Sequence, residues 1–235
     1  MIALIVIRPE PGCSATVSAA RALGLEAHGF PLSTLCPRDW TQPDLSEVDA
    51  LIIGSAAAIR LGSAALEAMR HLPVHAVGEA TAQIARDAGF RLASTGAGGL
   101  QHLLETVAPG TRLLRLAGEE RLALSSPPGV TMIERVVYAS EPLSMPYALA
   151  RLLGHQRAGP AVVLLHSAAA ASHFAAELGR LKIARGHIHI IALGPRIAEA
   201  AGNGWASRQS APMPNDAALL ALATQLCQTA PEIRG

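Results

Sequence analysis

Leu51-Ile-Ile-Gly-Ser-Ala-Ala-Ala58 and Val163-Leu-Leu-His-Ser-Ala-Ala-Ala170 are two copies of one pattern, an apolar run that stops at a serine and opens into alanines. A short apolar run ending at a turn residue reads as a buried strand, and the alanine-rich continuation as a helix. Each copy is followed by a second apolar run that stops at glycine, Ala76-Val-Gly-Glu-Ala-Thr-Ala82 around Gly78 and Ala192-Leu-Gly-Pro-Arg-Ile-Ala198 around Gly194. Two matching strand–loop–helix pairs predict two similar lobes.

Working outward, each copy extends into a long unit. Residues 48–107 predict strand 50–54, helix 56–70, strand 74–77, helix 79–88, strand 91–94 and helix 98–107. The second long unit predicts strand 161–166, helix 169–181, strand 187–193, helix 195–201, strand 205–208 and helix 215–227, preceded by a helix over 145–157. Two short units accompany them. One is strand 2–7, helix 11–23 and strand 26–32, after which the polar, proline-broken stretch 34–43 reads as an exit from the lobe. The other is strand 111–116, a helix near 119–125 and a strand near 131–138. Pro109-Gly110 is a tight turn that joins unit 48–107 to the short unit behind it. The remainder must then pair across the chain. The expected domains are 1–34 with 142–235, and an inserted lobe 39–135, with connectors at 35–38 and 136–141. Alternating strands and helices predict an α/β fold in which each lobe is a parallel sheet flanked by helices, of the flavodoxin-like kind.

The bulk numbers agree with this. Half of the 235 residues are apolar and only 3% aromatic, which suits helices packed on buried parallel strands. A net charge of +1 with mixed signs gives no footprint for nucleic acid. Cys13, Cys36 and Cys227 are odd in number and far apart, so neither a disulfide framework nor a thiolate metal site is expected. No uncharged stretch approaches the ~18–20 residues that cross a bilayer. The expectation is a cytoplasmic monomer without membrane contact.

In open parallel sheets ligands sit beyond the carboxyl ends of the strands, where loops enter helices. Ser55, Gly78, Gly118, Ser167 and Gly194 fall at such places, and Ala56 follows the first serine into its helix. Each residue alone is also an ordinary cap or turn; their repetition in both lobes points to two rows of backbone donors. Tyr138 ends Ile133-Glu-Arg-Val-Val-Tyr138 at the crossing between lobes, where a phenol could donate a proton or simply pack on a strand face. Arg8 and Arg115 end equivalent strands and could form ion pairs with substrate carboxylates, but pairing with nearby acids such as Glu10 and Glu119 is the expected reading. His187 and His189 read as a solvated edge strand rather than a metal site, and Gly96-Ala-Gly98-Gly99 as a turn. The nucleotide, hydrolase and metalloprotease motifs are missing.

Taken in order, these segments resemble the uroporphyrinogen-III synthase family. The resemblance rests on Arg8-Pro9, the strand ending at Ser55, A-V-G-E-A-T-A with Thr81, and L-R-L-A-G at 114–118. It continues with V-V-Y at Tyr138, the strand ending at Ser167, A-L-G-P at 192–195, and Ala211-Pro-Met-Pro214. It implies two α/β lobes, one inserted in the other through a two-stranded connector. It implies hydroxymethylbilane as substrate, no cofactor and no metal. The implied reaction closes the ring with loss of water and inverts ring D through a spiro intermediate, with Tyr138 protonating the departing hydroxyl. It also implies substrate-binding roles for Ser55, Ala56, Gly78, Thr81, Gly118, Ser167 and Gly194. This chain departs from the family at Gly54, His166 and Arg196-Ile197, so Thr81 has no counterpart in the second copy and lobe 39–135 is expected to do the larger share of binding. The other reading is a bilobal, non-catalytic binder of a small anionic ligand, which would release its ligand unchanged.

Overall fold

The structure, a computed structural model, describes residues 2–154 and 159–229. Its strands are β1 (Ala3–Val6), β2 (Ala27–Gly29), β3 (Ser33–Pro37), β4 (Ala50–Ile53), β5 (Val74–Val77), β6 (Leu92–Gly96), β7 (Arg112–Gly118), β8 (Thr131–Pro142), β9 (Ala161–Leu165), β10 (Ile188–Ala192) and β11 (Ser207–Ser210). Its helices are α1 (Gly12–Ala22), α2 (Ala56–Leu61), α3 (Glu79–Asp87), α4 (Leu100–Glu105), α5 (Tyr147–Gly154), α6 (Ala168–Arg180), α7 (Pro195–Ala200) and α8 (Asp216–Thr229). The chain divides into two compact units, Met1–Thr34 with Glu141–Gly235, and Leu35–Ser140.

The first unit holds a five-stranded parallel sheet in the order β11-β10-β9-β1-β2. Numbered within the unit this is 2-1-3-4-5, the flavodoxin-like winding. Strands buried on both faces must be apolar throughout, and β9 is Ala161-Val-Val-Leu-Leu165, every residue buried. One face packs on α5, α6 and α7 around Phe174 and Leu178. The other packs on α1 and α8 around Val17, Leu219 and Leu220.

The second unit has a six-stranded sheet, β3-β8-β7-β4-β5-β6, with β8 through β6 parallel. Taking β7 as its first strand and β8 as its second gives 2-1-3-4-5 again. The α2 and α3 face buries Met69, Ala82 and Ala85. The opposite face carries α4 alone, which packs its Leu103 and Leu104 onto the sheet with the half-buried Leu124 beside them. The expected α/β class with two similar lobes is therefore met.

Several local expectations are not. The helix predicted over 56–70 stops at Leu61; Ser63 takes a positive φ of 67°, and a 3-10 segment follows over Ala64–Met69. Trp40 Nε1 donates to the Gly62 carbonyl at 3.1 Å and so takes up a freed acceptor at the break. The helix predicted near 119–125 does not form. Residues 119–130 are coil, because Pro127-Pro128-Gly129 removes donors and favours a turn. Parallel neighbours are ordinarily joined through a helix; here a strap crosses instead, fastened by two 3.0 Å bonds between the Gln101 amide and the Ser125 backbone. The stretch read as an exit, 34–43, begins within β3, an edge strand that tolerates Pro37 at its end. β10, with His189, is not an edge strand but lies between β9 and β11, and His189 Nδ1 is 2.8 Å from Ser207 Oγ. The helix predicted over 145–157 begins at Tyr147, and its positions 155–157 lie outside the described residues. No helix among the described residues is long and apolar enough to cross a membrane.

Glu177, buried on α6, fixes the start of this last segment. Its carboxylate accepts from Arg180 Nε and Nη2 at 2.7 and 2.8 Å and from the Met145 N–H at 2.6 Å. The Arg180 bonds first, then the Met145 N–H, hold the carboxyl at about 2. A carboxyl depressed in the folded state stabilises above its ordinary value of 4.5, and that contribution is lost as pH falls toward 2. Glu177→Gln retains an acceptor for Met145 but drops the charge. Its urea midpoint should fall less steeply than the wild type's between about pH 5 and pH 2; parallel profiles would refute the assignment.

Candidate active site

Where strand order reverses in a doubly wound sheet, neighbouring crossovers leave on opposite faces and a crevice opens at the carboxyl ends. In the second unit that point lies between β4 and β7. A cavity of about 450 Å³ opens there. Its walls are Gly54 and Ser55 after β4, Gly98 to Gln101 leading into α4, Arg115 to Gly118 of β7, Tyr138 of β8, and the strap residues 120–124. Ser55 Oγ accepts the Ala57 N–H at 3.2 Å and caps α2, which leaves the hydroxyl hydrogen free to donate.

Tyr138 reaches the cavity through an irregularity. Ala117 pairs with Val136 but Gly118 pairs with Tyr138, so Val137 is an extra residue in β8. A bulge of this kind re-aims the side chains beyond it. The phenol then lies across Gly118, so closely that a Cβ there would come within 2.7 Å of Cζ and 3.0 Å of the hydroxyl oxygen.

Arg115 sits in the middle of β7, not at its end, and only 4% of it is exposed. Its Nη1 donates to Glu134 Oε2 at 2.7 Å and to the Leu122 carbonyl at 3.0 Å. Glu119, the expected partner, instead lies 3.5 Å from Arg38 Nη2. Glu134 also takes the Arg121 guanidinium. Burial works against the Arg115 charge, and Glu134 beside it works for the charge; the Tyr138 phenol is near enough to add a small effect.

Ser55, Gly118 and Tyr138 are thus brought together. Ala56 opens α2 but does not line the cavity. Gly78 lies at the end of β5 with φ +74°, its N–H already donated to the Gly96 carbonyl at 2.9 Å, and Thr81 is buried on α3; neither reaches the cavity. Ser167 and Gly194 belong to the first unit, where they cap α6 and α7. Gly98 and Gly99, read as a turn, form cavity wall with φ of 94° and 102°. Their signal was a glycine run directly after a strand.

The first unit uses the equivalent place differently. Setting 163–170 on 51–58, the registers Val6–Leu164 and Arg115–Ile52 put Arg115 at the position of Val6, Ala117 at that of Arg8, and Gly54 at that of His166. Where the second unit has small residues and a cavity, the first has a polar knot. Arg8 Nη1 lies 2.9 Å from Asp216 Oδ2, and Thr16 Oγ1 donates to the same oxygen at 2.6 Å. The expected Arg8–Glu10 pair does not form; Glu10 accepts from Ser14. His166 Nε2 is 3.3 Å from Asp216 Oδ1, within ion-pair distance. Burial pushes the Asp216 carboxyl up, but His166, Thr16 and the Arg8 charge outweigh it and hold it at about 2. No group of three His, Cys, Asp or Glu among the described residues is placed to hold a metal ion.

The chain is similar in fold to uroporphyrinogen-III synthetase from Helicobacter pylori, with a TM-score of 0.62 and 18% identity over 96% of this chain and 100% of that one. A mutant uroporphyrinogen III synthase from the extremely thermophilic bacterium Thermus thermophilus has a TM-score of 0.51 and 15% identity over 97% of this chain and 100% of the other. No sequence among the curated proteins matches. The family model described as uroporphyrinogen-III synthase HemD matches residues 14–221, and by that match the chain belongs to the uroporphyrinogen-III synthase family.

Proposed function

We propose that this protein cyclises hydroxymethylbilane to uroporphyrinogen III, with Tyr138 and the cavity between β4 and β7 as the reacting site. The observation that carries the reading is the phenol laid over Gly118 at the switch point of a family member's sheet. A linear tetrapyrrole is electron-rich at every ring, so its own pyrrole nitrogen can expel the terminal hydroxyl once that oxygen is protonated. Tyr138 donates the proton, water leaves, and an azafulvene remains. The substituted carbon of ring D attacks the azafulvene carbon and gives a spiro intermediate. Fragmentation and reclosure at the free position of ring D invert it, and the proton lost on rearomatisation returns to the phenolate. Substrate minus water equals product, and the phenol is regenerated. The protein's task is to hold ends that would otherwise close without inversion, which is positioning in a preformed site.

The test is to supply fresh hydroxymethylbilane and separate the ring isomers. Uroporphyrinogen III should dominate at a rate proportional to enzyme. Only the uninverted isomer, at the rate of the enzyme-free control, would overturn the reading. A non-catalytic binder would bind reversibly and give no product, and no observation in the site favours it.

A further inference from the structure

Arg115 is costly where it stands. It occupies a central-strand position that the other copy of the fold fills with Val6, which is fully buried. A buried guanidinium loses hydration that only a complete set of partners replaces. Its set is incomplete: Nη1 is bonded to Glu134 and to the Leu122 carbonyl, but Nε has no partner among the described residues. Glu134 is shared with Arg121, so two guanidinium charges meet one carboxylate. The residue lines the same cavity as Tyr138.

We propose that Arg115 is a substrate-binding residue, whose guanidinium receives one carboxylate side chain of the acidic tetrapyrrole beside Tyr138. This deepens the function proposed above and rests on it. Guanidinium suits the task because its fork meets both oxygens of a carboxylate. An arriving carboxylate can bind side-on, with one oxygen on Nε and the other on Nη2, while Nη1 keeps Glu134 and the Leu122 carbonyl. The strap 119–130 lets the carboxylate reach that edge, since coil over the sheet can move aside where a packed helix could not. Val6 shows why the role belongs to one lobe. Its strand is followed by α1, which covers that face with Val17 and Ala20, and apolar contact is complete there.

The experiment is steady-state kinetics with isomer-resolved product on the full chain. Arg115→Met keeps the aliphatic stem of the side chain and removes the charge; Arg115→Gln keeps a neutral N–H donor beneath the strap if the Met variant fails to fold. Losing a charge-assisted contact should raise KM for hydroxymethylbilane about 10- to 100-fold with a much smaller change in kcat. The wild-type KM should rise more steeply with ionic strength than that of either variant. A merely structural role would lower thermal stability and leave KM and its salt dependence as they were, and that result overturns the proposal. If the wild type itself gives no inverted isomer, the functional reading fails instead. If the wild type inverts ring D while a folded Arg115→Gln keeps the wild-type KM, only the carboxylate seat fails.

Discussion

Tyr138→Phe and Gly118→Ala are each expected to lower kcat by about 100-fold, and the double variant by no more than Tyr138→Phe alone. The first removes a general acid, an effect of about 10²–10⁴ in enzymes where a side chain transfers a proton in the transition state. The lower end applies because the pyrrole nitrogen supplies much of the push. The second change leaves the hydroxyl in the protein but moves it. An alanine Cβ would stand 2.7 Å from Tyr138 Cζ and 2.8 Å from Cε2, well inside ordinary carbon–carbon contact at about 3.5–4.0 Å, so the ring must shift by roughly an ångström. A misplacement of that size costs on the order of 10²-fold when a reaction depends on alignment. Gly118 has no positive φ, so alanine strains no backbone and the damage falls on the phenol. Two changes acting through one group are not additive. Single-turnover rates for the four proteins check this; a multiplicative double variant would mean that Gly118 acts other than through Tyr138.

The duplication was legible because buried parallel strands announce themselves as apolar runs, and a serine or glycine marks where each one ends. It led from Leu51–Ala58 and Val163–Ala170 to two sheets of the same winding. Gly118 and Tyr138 were legible as strand-end residues, but their contact was not. It depends on the extra Val137 in β8, and a one-residue slip leaves no trace in an apolar alternation. Arg115 was misplaced for a related reason. An arginine near the close of an apolar run reads as its solvated end, whereas β7 continues through Leu116-Ala-Gly118 and buries the charge. The strap hid behind Glu119–Ser125, which has helical composition but runs into Pro127-Pro128-Gly129 before it can gain enough turns. The Arg8–Asp216 pair spans 208 residues, beyond the reach of any local pattern.

Phe174→Ala is expected to destabilise the first unit by about 3–5 kcal/mol, the range for deleting a buried phenylalanine. Phe174 is fully buried on α6, and its ring stacks on Trp205 with centroids 5.8 Å apart and planes 10° apart. Arg185 lies over the indole, 5.0 Å from the Trp205 ring centroid, and Trp205 Nε1 donates to the Ala201 and Gly202 carbonyls at 3.2 and 3.1 Å. The indole is therefore pinned at its edge and covered by a cation, and it cannot follow the shrinking side chain to fill the space. A site that cannot collapse belongs at the upper end of the range. The chain also supplies its own reporters, since Trp205 lies in the first unit and Trp40 in the second. With Trp40→Phe as background, urea unfolding followed by Trp205 fluorescence should show the midpoint fall sharply. With Trp205 replaced instead, Trp40 should report a smaller shift, because Phe174 packs in the core of the first sheet. A loss below about 1 kcal/mol on the Trp205 signal would mean that the α6 face repacks around the missing ring, against the density expected of a protein interior.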